Sequence, residues 1–424
     1  MKKLSTLITM VVLLSTLITA QGWTNEGAWP SADSTNFGGT HGVVVDADGK
    51  VWVSSYFKDV EFIDGGDTTF ASAIKVFTAD GSEVSFSPIY IVDVNGTPDT
   101  INGNCRGLNL DENGNVVFVQ SGPSKMIKFN YSTGAALASA LISETGSSPT
   151  APSVSDDGTI YVGPVVGGGT NQIATYDTDL NYLGAAVVGP PAISRTLEVS
   201  ADGLTIYWMP FTATQTFIYT RSDEFSSFEL TDSVHIGMSI ESSTWHPTTG
   251  QLWVSNDARG GDITKGNVYF YAFDVETKTF TEGLNWESPE EGEFARGLAF
   301  APDGNTAYIG TFSNTTSRLQ KLSLVANGVE VISSEVPDGY ELSQNYPNPF
   351  NPSTVINFSI PTSGLVTVKV FDILGQEVAE LINEVKAAGS YQVDFNAANM
   401  SSGMYVYRIS SGKFNATRKM MLLK

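Results

Sequence analysis

A short pattern recurs six times along this chain, and it limits the possible folds more than any other feature. Each copy has a small residue, an alternating apolar run, a turn ending in glycine and a second alternating run. The copies are His41-GVVVDADGKVWVSS, Arg106-GLNLDENGNVVFVQ, Thr150-APSVSDDGTIYVGP, Arg195-TLEVSADGLTIYWM, Ser242-STWHPTTGQLWVSN and Arg296-GLAFAPDGNTAYIG. Their turn glycines (Gly49, Gly114, Gly158, Gly203, Gly250, Gly304) are 65, 44, 45, 47 and 54 residues apart. Asp-Gly, Asn-Gly or Thr-Gly closes each turn, where a positive φ is needed, so every copy predicts a β-hairpin. Most copies continue into a third strand and often a fourth, as in Ala73–Phe77 with Glu83–Phe86 and Val268–Phe273 with Thr277–Thr281. Four short strands per repeat, six times over, predict an all-β, six-bladed β-propeller. The long first interval holds an insertion over residues 59–70 and an extended loop near 95–104, which leaves room for a degenerate seventh blade.

Charge divides the chain in two. Residues 21–335 carry 14 Lys+Arg against 38 Asp+Glu, a net of −24, whereas residues 336–424 carry 7 of each. Such a difference in balance predicts two domains, 21–335 and 336–424. The acidity argues against nucleic acid as a partner, because phosphate binding needs a cationic face. Residues 1–20 read as a signal peptide: Lys2 and Lys3 open it, an apolar run follows, and Thr19-Ala20-Gln21-Gly22 closes it with small residues. Cys105 is the only cysteine, so no intramolecular disulfide can form and stability rests on packing.

From Val336 the texture changes. Four prolines fall between Pro337 and Pro352, and strands are expected at Val355–Ile360, Leu365–Asp372, Ser390–Phe395, Met404–Ser410 and Thr417–Leu423. Their spacing suits a small immunoglobulin-like β-sandwich. The prolines fix φ and remove donors, so Tyr346–Pro352 is expected to be a stiff, non-pairing edge. The runs Tyr340-ELSQNYPNPFNPST, Val370-FDILGQEV, Ala388-GSYQVDF, Ser402-GMYVYRI and Lys419-MMLLK resemble the type A C-terminal sorting domain of the type IX (Por) secretion system. That resemblance implies passage through the periplasm, recognition by the outer-membrane type IX translocon and sorting machinery, and delivery to the cell surface or release. It places the sorting signal on Tyr346, Pro347, Asn348, Pro349, Phe350, Asn351, Pro352, Gly375, Gly403, Tyr405, Lys419 and Lys424.

The repeats resemble NHL- and YVTN-type propellers over about residues 35–333, a likeness specific for architecture and silent on activity. Eight residues before each turn glycine stand His41, Arg106, Thr150, Arg195, Ser242 and Arg296. In such propellers that register begins the innermost strand, at the mouth of the central channel. Three of the six arginines in residues 21–335 occupy it. Two readings stay open: each Arg ties to a carboxylate or carbonyl of a neighbouring repeat, or the ring binds an anion through its guanidinium forks. Acidic turns such as Asp46-Ala-Asp48-Gly49 lack the length and ligand count of a calcium loop and are read as turn chemistry. Aromatic residues in loops around Trp23, Trp29, Tyr56, Phe57, Trp208, Phe211 and Trp286 could serve sugar or peptide contact or pack between blades, the latter being the preferred reading for Trp208.

No Gly-x-Ser-x-Gly, His-Glu-x-x-His or phosphate loop is present. The expectation is therefore a secreted or cell-surface binding module for an anionic, carbohydrate or peptide ligand at the channel, with no cofactor. One alternative is a lactonase-like, metal-dependent hydrolase or lyase holding a divalent ion such as calcium, with carboxylates from Asp257, Glu291 or Glu293 and the Asn256 amide. The other is a structural or adhesion protein.

Overall fold

The computed structural model describes residues 23–30, 39–64, 66–94, 96–146, 148–165, 171–213, 215–235, 239–255, 268–285, 294–312, 319–324, 330–333, 336–397 and 400–423. The signal segment, Lys424, Asn256, Asp257, Trp286, Glu291 and Glu293 lie outside them. All helix-or-strand structure among the described residues is strand. The chain forms two compact units, Met1–Ser323 and Leu324–Lys424.

In the first unit β1 (Trp23–Trp29) precedes the repeats. The first repeat gives β2 (Thr40–Val45), β3 (Val51–Ser55) and β6 (Ile74–Phe77) in one sheet. Its insertion is the hairpin β4 (Val60–Asp64) and β5 (Asp67–Ala71). The expected extended loop near residue 95 is instead a second hairpin, β7 (Ile91–Val94) with β8 (Thr97–Thr100). Glu83 bridges Phe77 without extending into a fourth strand. The second repeat is the sheet β9 (Asn104–Leu110), β10 (Val116–Ser121), β11 (Lys125–Phe129) and β12 (Ala136–Leu141). The third is β13 (Ser153–Val154), β14 (Ile160–Val162), β15 (Gln172–Tyr176) and β16 (Tyr182–Val188). The fourth is β17 (Ser194–Val199), β18 (Thr205–Pro210), β19 (Gln215–Thr220) and β20 (Glu229–His235). The fifth is β21 (Ser243–Trp245), β22 (Leu252–Ser255), β23 (Val268–Asp274) and β24 (Thr279–Asn285). The sixth is β25 (Phe294–Phe300), β26 (Thr306–Phe312) and β27 (Leu319–Leu324), and β1 joins it as the outermost strand.

The first strands of successive sheets touch in order, β2 to β9, β13, β17, β21 and β25, and β25 touches β2 again. Close approach at this inner layer depends on small residues. A Cβ on Gly107 would stand 2.4 Å from the Ala151 Cβ of the next repeat. Between each pair of neighbouring sheets lies one apolar cluster. Trp52 packs with Phe118 and Phe129, Phe270 with Leu298 and Ile309, and Val43 and Val53 with Tyr308 and Trp29 across the closing pair. Each second strand contributes one fully buried aromatic ring: Trp52, Phe118, Tyr161, Trp208, Trp253 and Tyr308. Burial of each is worth about 2–3 kcal/mol. Trp23 and Trp29 lie in β1, with Trp29 buried and Trp23 packed on Trp253 and Phe300, so they are core residues and not the loop aromatics expected from sequence.

The turns behave as their chemistry predicts. The Asp46 carboxylate accepts the main-chain N–H groups of Asp48 and Lys50 and the indole N–H of Trp52, and Gly49 takes φ +78°. Asp111 accepts from Asn113 and Asn115 in the same way, and Gly114 takes φ +77°.

The second unit holds two four-stranded sheets on one core. The first sheet contains β28 (Glu330–Ser333), β29 (Glu341–Leu342), β30 (Ser353–Ile360) and β33 (Gly389–Asn396). The other contains β31 (Gly364–Phe371), β32 (Glu377–Lys386), β34 (Gly403–Ser411) and β35 (Phe414–Leu422). Ile356, Phe358, Val368, Val370, Tyr407 and Ile409 fill the core, each from alternate positions of its strand. β32 was not legible as a strand, since charged residues interrupt its apolar ones.

The proline run corrects one expectation: it pairs. Tyr346 and Val355 exchange both main-chain hydrogen bonds. The Phe350 N–H donates to the Met421 carbonyl, and the Leu423 N–H donates to the Phe350 carbonyl. The Met421 N–H donates to Asn348 Oδ1, and Gln344 donates to the Lys419 carbonyl. The prolines alternate with residues that keep their N–H, so Tyr346 and Phe350 still bond while Pro347 and Pro349 cannot. Phe350 is buried, and Tyr346 is 81% exposed.

Candidate functional site

The sequence register that gathers His41, Arg106, Arg195 and Arg296 has a structural cause. Thr40 pairs with Ser55 and Gly42 with Ser54, which leaves His41 as the extra residue of a β-bulge. Cys105 pairs with Gln120 and Gly107 with Val119, leaving Arg106. Ser194 pairs with Pro210 and Thr196 with Met209, leaving Arg195. Ala295 pairs with Thr311 and Leu298 with Ile309, so Arg296 and Gly297 stand opposite Gly310 alone. A bulge re-aims the residue it releases. Thr150 and Ser242, at the same register, precede the paired parts of β13 and β21.

The four bulged side chains meet. Arg106, Arg195 and Arg296 all act electrostatically on His41, which burial and then these three cations hold well below the ordinary imidazole value. His41 is therefore neutral near pH 7. Its ring donates to the Arg106 main chain, and Nδ1 makes no hydrogen bond among the described residues. Each guanidinium lies over an aromatic ring: Arg106 over Tyr56 at 5.5 Å, Arg195 over Phe211 at 4.5 Å and Arg296 over Phe312 at 5.4 Å. Such contacts offset part of the desolvation of a buried cation. Tyr56 and Phe211, two of the aromatic residues singled out in the sequence, thus lie in the cationic cluster.

A residue the sequence did not single out organises the group. Glu241, just before β21, is 2% exposed. Its Oε2 accepts from Arg195 at 2.7 Å and also pairs with Arg296. One carboxylate of the fifth repeat thus ties the cations of the fourth and sixth. Ser255 Oγ fixes the position by accepting the N–H groups of Glu241 and Ser242. Glu241 Oε1 accepts no hydrogen bond among the described residues. Arg106 donates to the Ser121 hydroxyl at 3.1 Å. Burial pushes Arg106 and Arg296 down from the ordinary guanidinium value, and both remain charged near pH 7. Among the described residues, three cations and one paired carboxylate meet here in an otherwise acidic unit.

His41, Arg106, Glu241 and Arg296 line a cavity of about 360 Å³ that reaches residues of all six inner-layer segments, from Val44 and Leu108 to Ala151, Thr196, Trp245 and Phe300. Glu198 lines it too, 4% exposed, accepting the hydroxyls of Ser153 at 2.8 Å and Ser243 at 2.9 Å. Burial, against those two hydrogen bonds, raises Glu198 to about 7. Cys105, beside Arg106, is fully buried and its thiol is pushed up to about 12, so it is no nucleophile. Among the described residues no group of three or more His, Cys, Asp and Glu could hold a metal ion.

In the second unit the residues expected to carry the sorting signal take different structural places. Gly375 closes the β31–β32 turn at φ +83°, donating to the Asp372 carbonyl. The Tyr405 hydroxyl donates to the Ser401 carbonyl. Tyr346 through Phe350 clasp the last strand as described, and Lys419 accepts from Gln344 through its main chain.

No curated protein matches the chain. Among solved structures the chain is similar to PorZ of Porphyromonas gingivalis, a surface component of the type IX secretion system, at 14% identity and TM-score 0.49 over 93% of this chain and 61% of that one. It is also similar to a luciferin-regenerating enzyme, at 10% identity and TM-score 0.49 over 71% of this chain and 95% of that one. A putative 6-phosphogluconolactonase from Bacteroides fragilis follows, at 14% identity and TM-score 0.43 over 71% and 94%. Likenesses this distant transfer no activity. The C-terminal match is of another kind, because it falls on the motifs that clasp the last strand and close the turns. Residues 344–423 are a secretion system C-terminal sorting domain, and the protein is exported by type IX secretion to the cell surface or beyond it.

Proposed function

We propose that the first unit is a six-bladed β-propeller carried to the outside of the cell as a binding module, and that its channel mouth takes an anionic ligand through Arg106, Arg195 and Arg296. The second unit is read as an immunoglobulin-like sandwich that hands the protein to the type IX translocon. The ring of inner-strand contacts, with β1 completing the last sheet, supports the propeller. One observation carries the binding reading: four bulges bring three guanidiniums and a neutral imidazole together, and His41, Arg106 and Arg296 line one cavity beside Glu241, which pairs with Arg195 and Arg296. Positive charge concentrated in a low-dielectric recess is stabilised by an anion.

The sharing of Glu241 favours a second role for two of these residues. Arg195 and Arg296 serve as ties between repeats as well as ligand contacts, and Arg106, which pairs with no carboxylate among the described residues, is the principal anion contact. Thermal-shift measurements on the exported protein with a series of small carboxylates test this. Stabilisation by carboxylates that vanishes in a folded Arg106→Ala variant is expected. Equal stabilisation of that variant, or none of the wild type, would remove the anion site.

A further inference from the structure

Resting on the anion-site reading of Arg106, we infer that the ligand is a monocarboxylic acid with an extended apolar body. Its acid group meets the cations, and its hydrocarbon lies along the cavity toward the hairpin turns. The lining sets this polarity. It begins at the bulges with Arg106 and Arg296 and follows the inner strands to the turns, where Ala47, Pro247 and Pro302 line it and are exposed. At about 3.3 Å per residue the strands carry it on the order of 15 Å past the cations. Between those ends Val44, Leu110, Ala151 and Trp245 are part of the lining, and each is only half-buried.

The polar side chains along this stretch are already engaged within the protein. The Asn109 amide donates to the Pro152 carbonyl at 3.0 Å, and the Trp245 indole N–H donates to the Val199 carbonyl at 3.0 Å. The two Glu198 oxygens accept the hydroxyls of Ser153 and Ser243, and Thr196 is hydrogen-bonded to Ser243 in turn. A hydroxyl or amide on the ligand would give up water here for side chains that have spent their hydrogen bonds, which costs free energy. Hydrocarbon has no hydrogen bond to lose and gains by leaving water. The accessible wall as a whole is mostly carbon. Size agrees: about 360 Å³ holds on the order of a dozen non-hydrogen atoms at the volume of liquid water, the scale of a medium-chain acid.

Isothermal titration calorimetry on the full exported protein tests the inference with butanoate, octanoate and octanol as probes. Octanoate is expected to bind one-to-one and at least about tenfold more tightly than either of the others. Leu110→Gln, which puts an amide on the wall at nearly constant length, should weaken octanoate while leaving butanoate unchanged. Equal affinity for butanoate and octanoate in the wild type would overturn the inference and leave the anion site standing, and this comparison needs no variant. Octanol binding as tightly as octanoate, or failure of both acids to bind, would overturn the anion site itself. Undiminished octanoate binding in a folded Leu110→Gln would overturn the placement of the hydrocarbon along the strands.

Discussion

At the scale of single residues, two buried carboxylates in one cavity make opposite predictions. Glu241 is held between two guanidiniums, and removing its charge leaves them facing one another. Glu241→Gln is expected to lower stability by about 3–5 kcal/mol in urea unfolding, far more than Arg106→Ala, because a buried pair broken on one side strands the other. Glu198 has no charged partner among the described residues; two serine hydroxyls hold it, and burial raises its carboxyl to about 7 against an ordinary 4.5. The folded state therefore holds this proton more tightly than the unfolded chain does. Its contribution is full below about pH 4.5 and is lost as the pH rises through 7, a change of about 3 kcal/mol. Glu198→Gln should flatten that part of the stability curve, measured as the midpoint of urea unfolding at a series of pH values. An identical slope in wild type and variant would show that Glu198 ionises freely in the fold.

At the scale of elements, the bulge is the device that makes the site. The spacing of His41, Arg106, Arg195 and Arg296 was legible from the turn glycines, since a hairpin repeats its register faithfully. That each is an unpaired extra residue was not, because a bulge is defined by a count on two strands and the repeat shows only one. Glu241 was illegible for a different reason: it lies one residue outside the repeat, and only the approach of three inner strands brings it to the arginines. The small residue after each bulge was visible as a glycine in three repeats, and its purpose is steric. Gly107→Val is expected to drive the side chain into Ala151 and cost about 1–3 kcal/mol, with loss of folding cooperativity if the inner ring opens. In the sorting domain, the proline run looked like a spacer because proline cannot pair. Its alternation with Tyr346, Asn348 and Phe350 lets it clasp the final strand. Phe350→Ala removes a buried ring from that clasp and should destabilise the second unit by about 3–5 kcal/mol, read by its own unfolding transition.

At the scale of the molecule, the second unit carries the delivery signal, and recognition is the role proposed for the first. The repeat period and the charge split announced two all-β parts, and the sorting motifs announced the route. Removal of residues 336–424 is expected to leave the first unit in the periplasm of a host carrying the secretion system, and fractionation of that host reads it directly. The proposed anion site draws on groups from distant repeats, which is why no one motif made it legible. The central claim is that the channel mouth is an anion site led by Arg106. The most direct measurement is calorimetric titration of octanoate into the exported wild-type protein and into Arg106→Ala, with folding of both checked by circular dichroism. The account predicts saturable, one-to-one binding to the wild type and a loss of at least about tenfold in the variant. Equal binding by the two, with both folded, would contradict it.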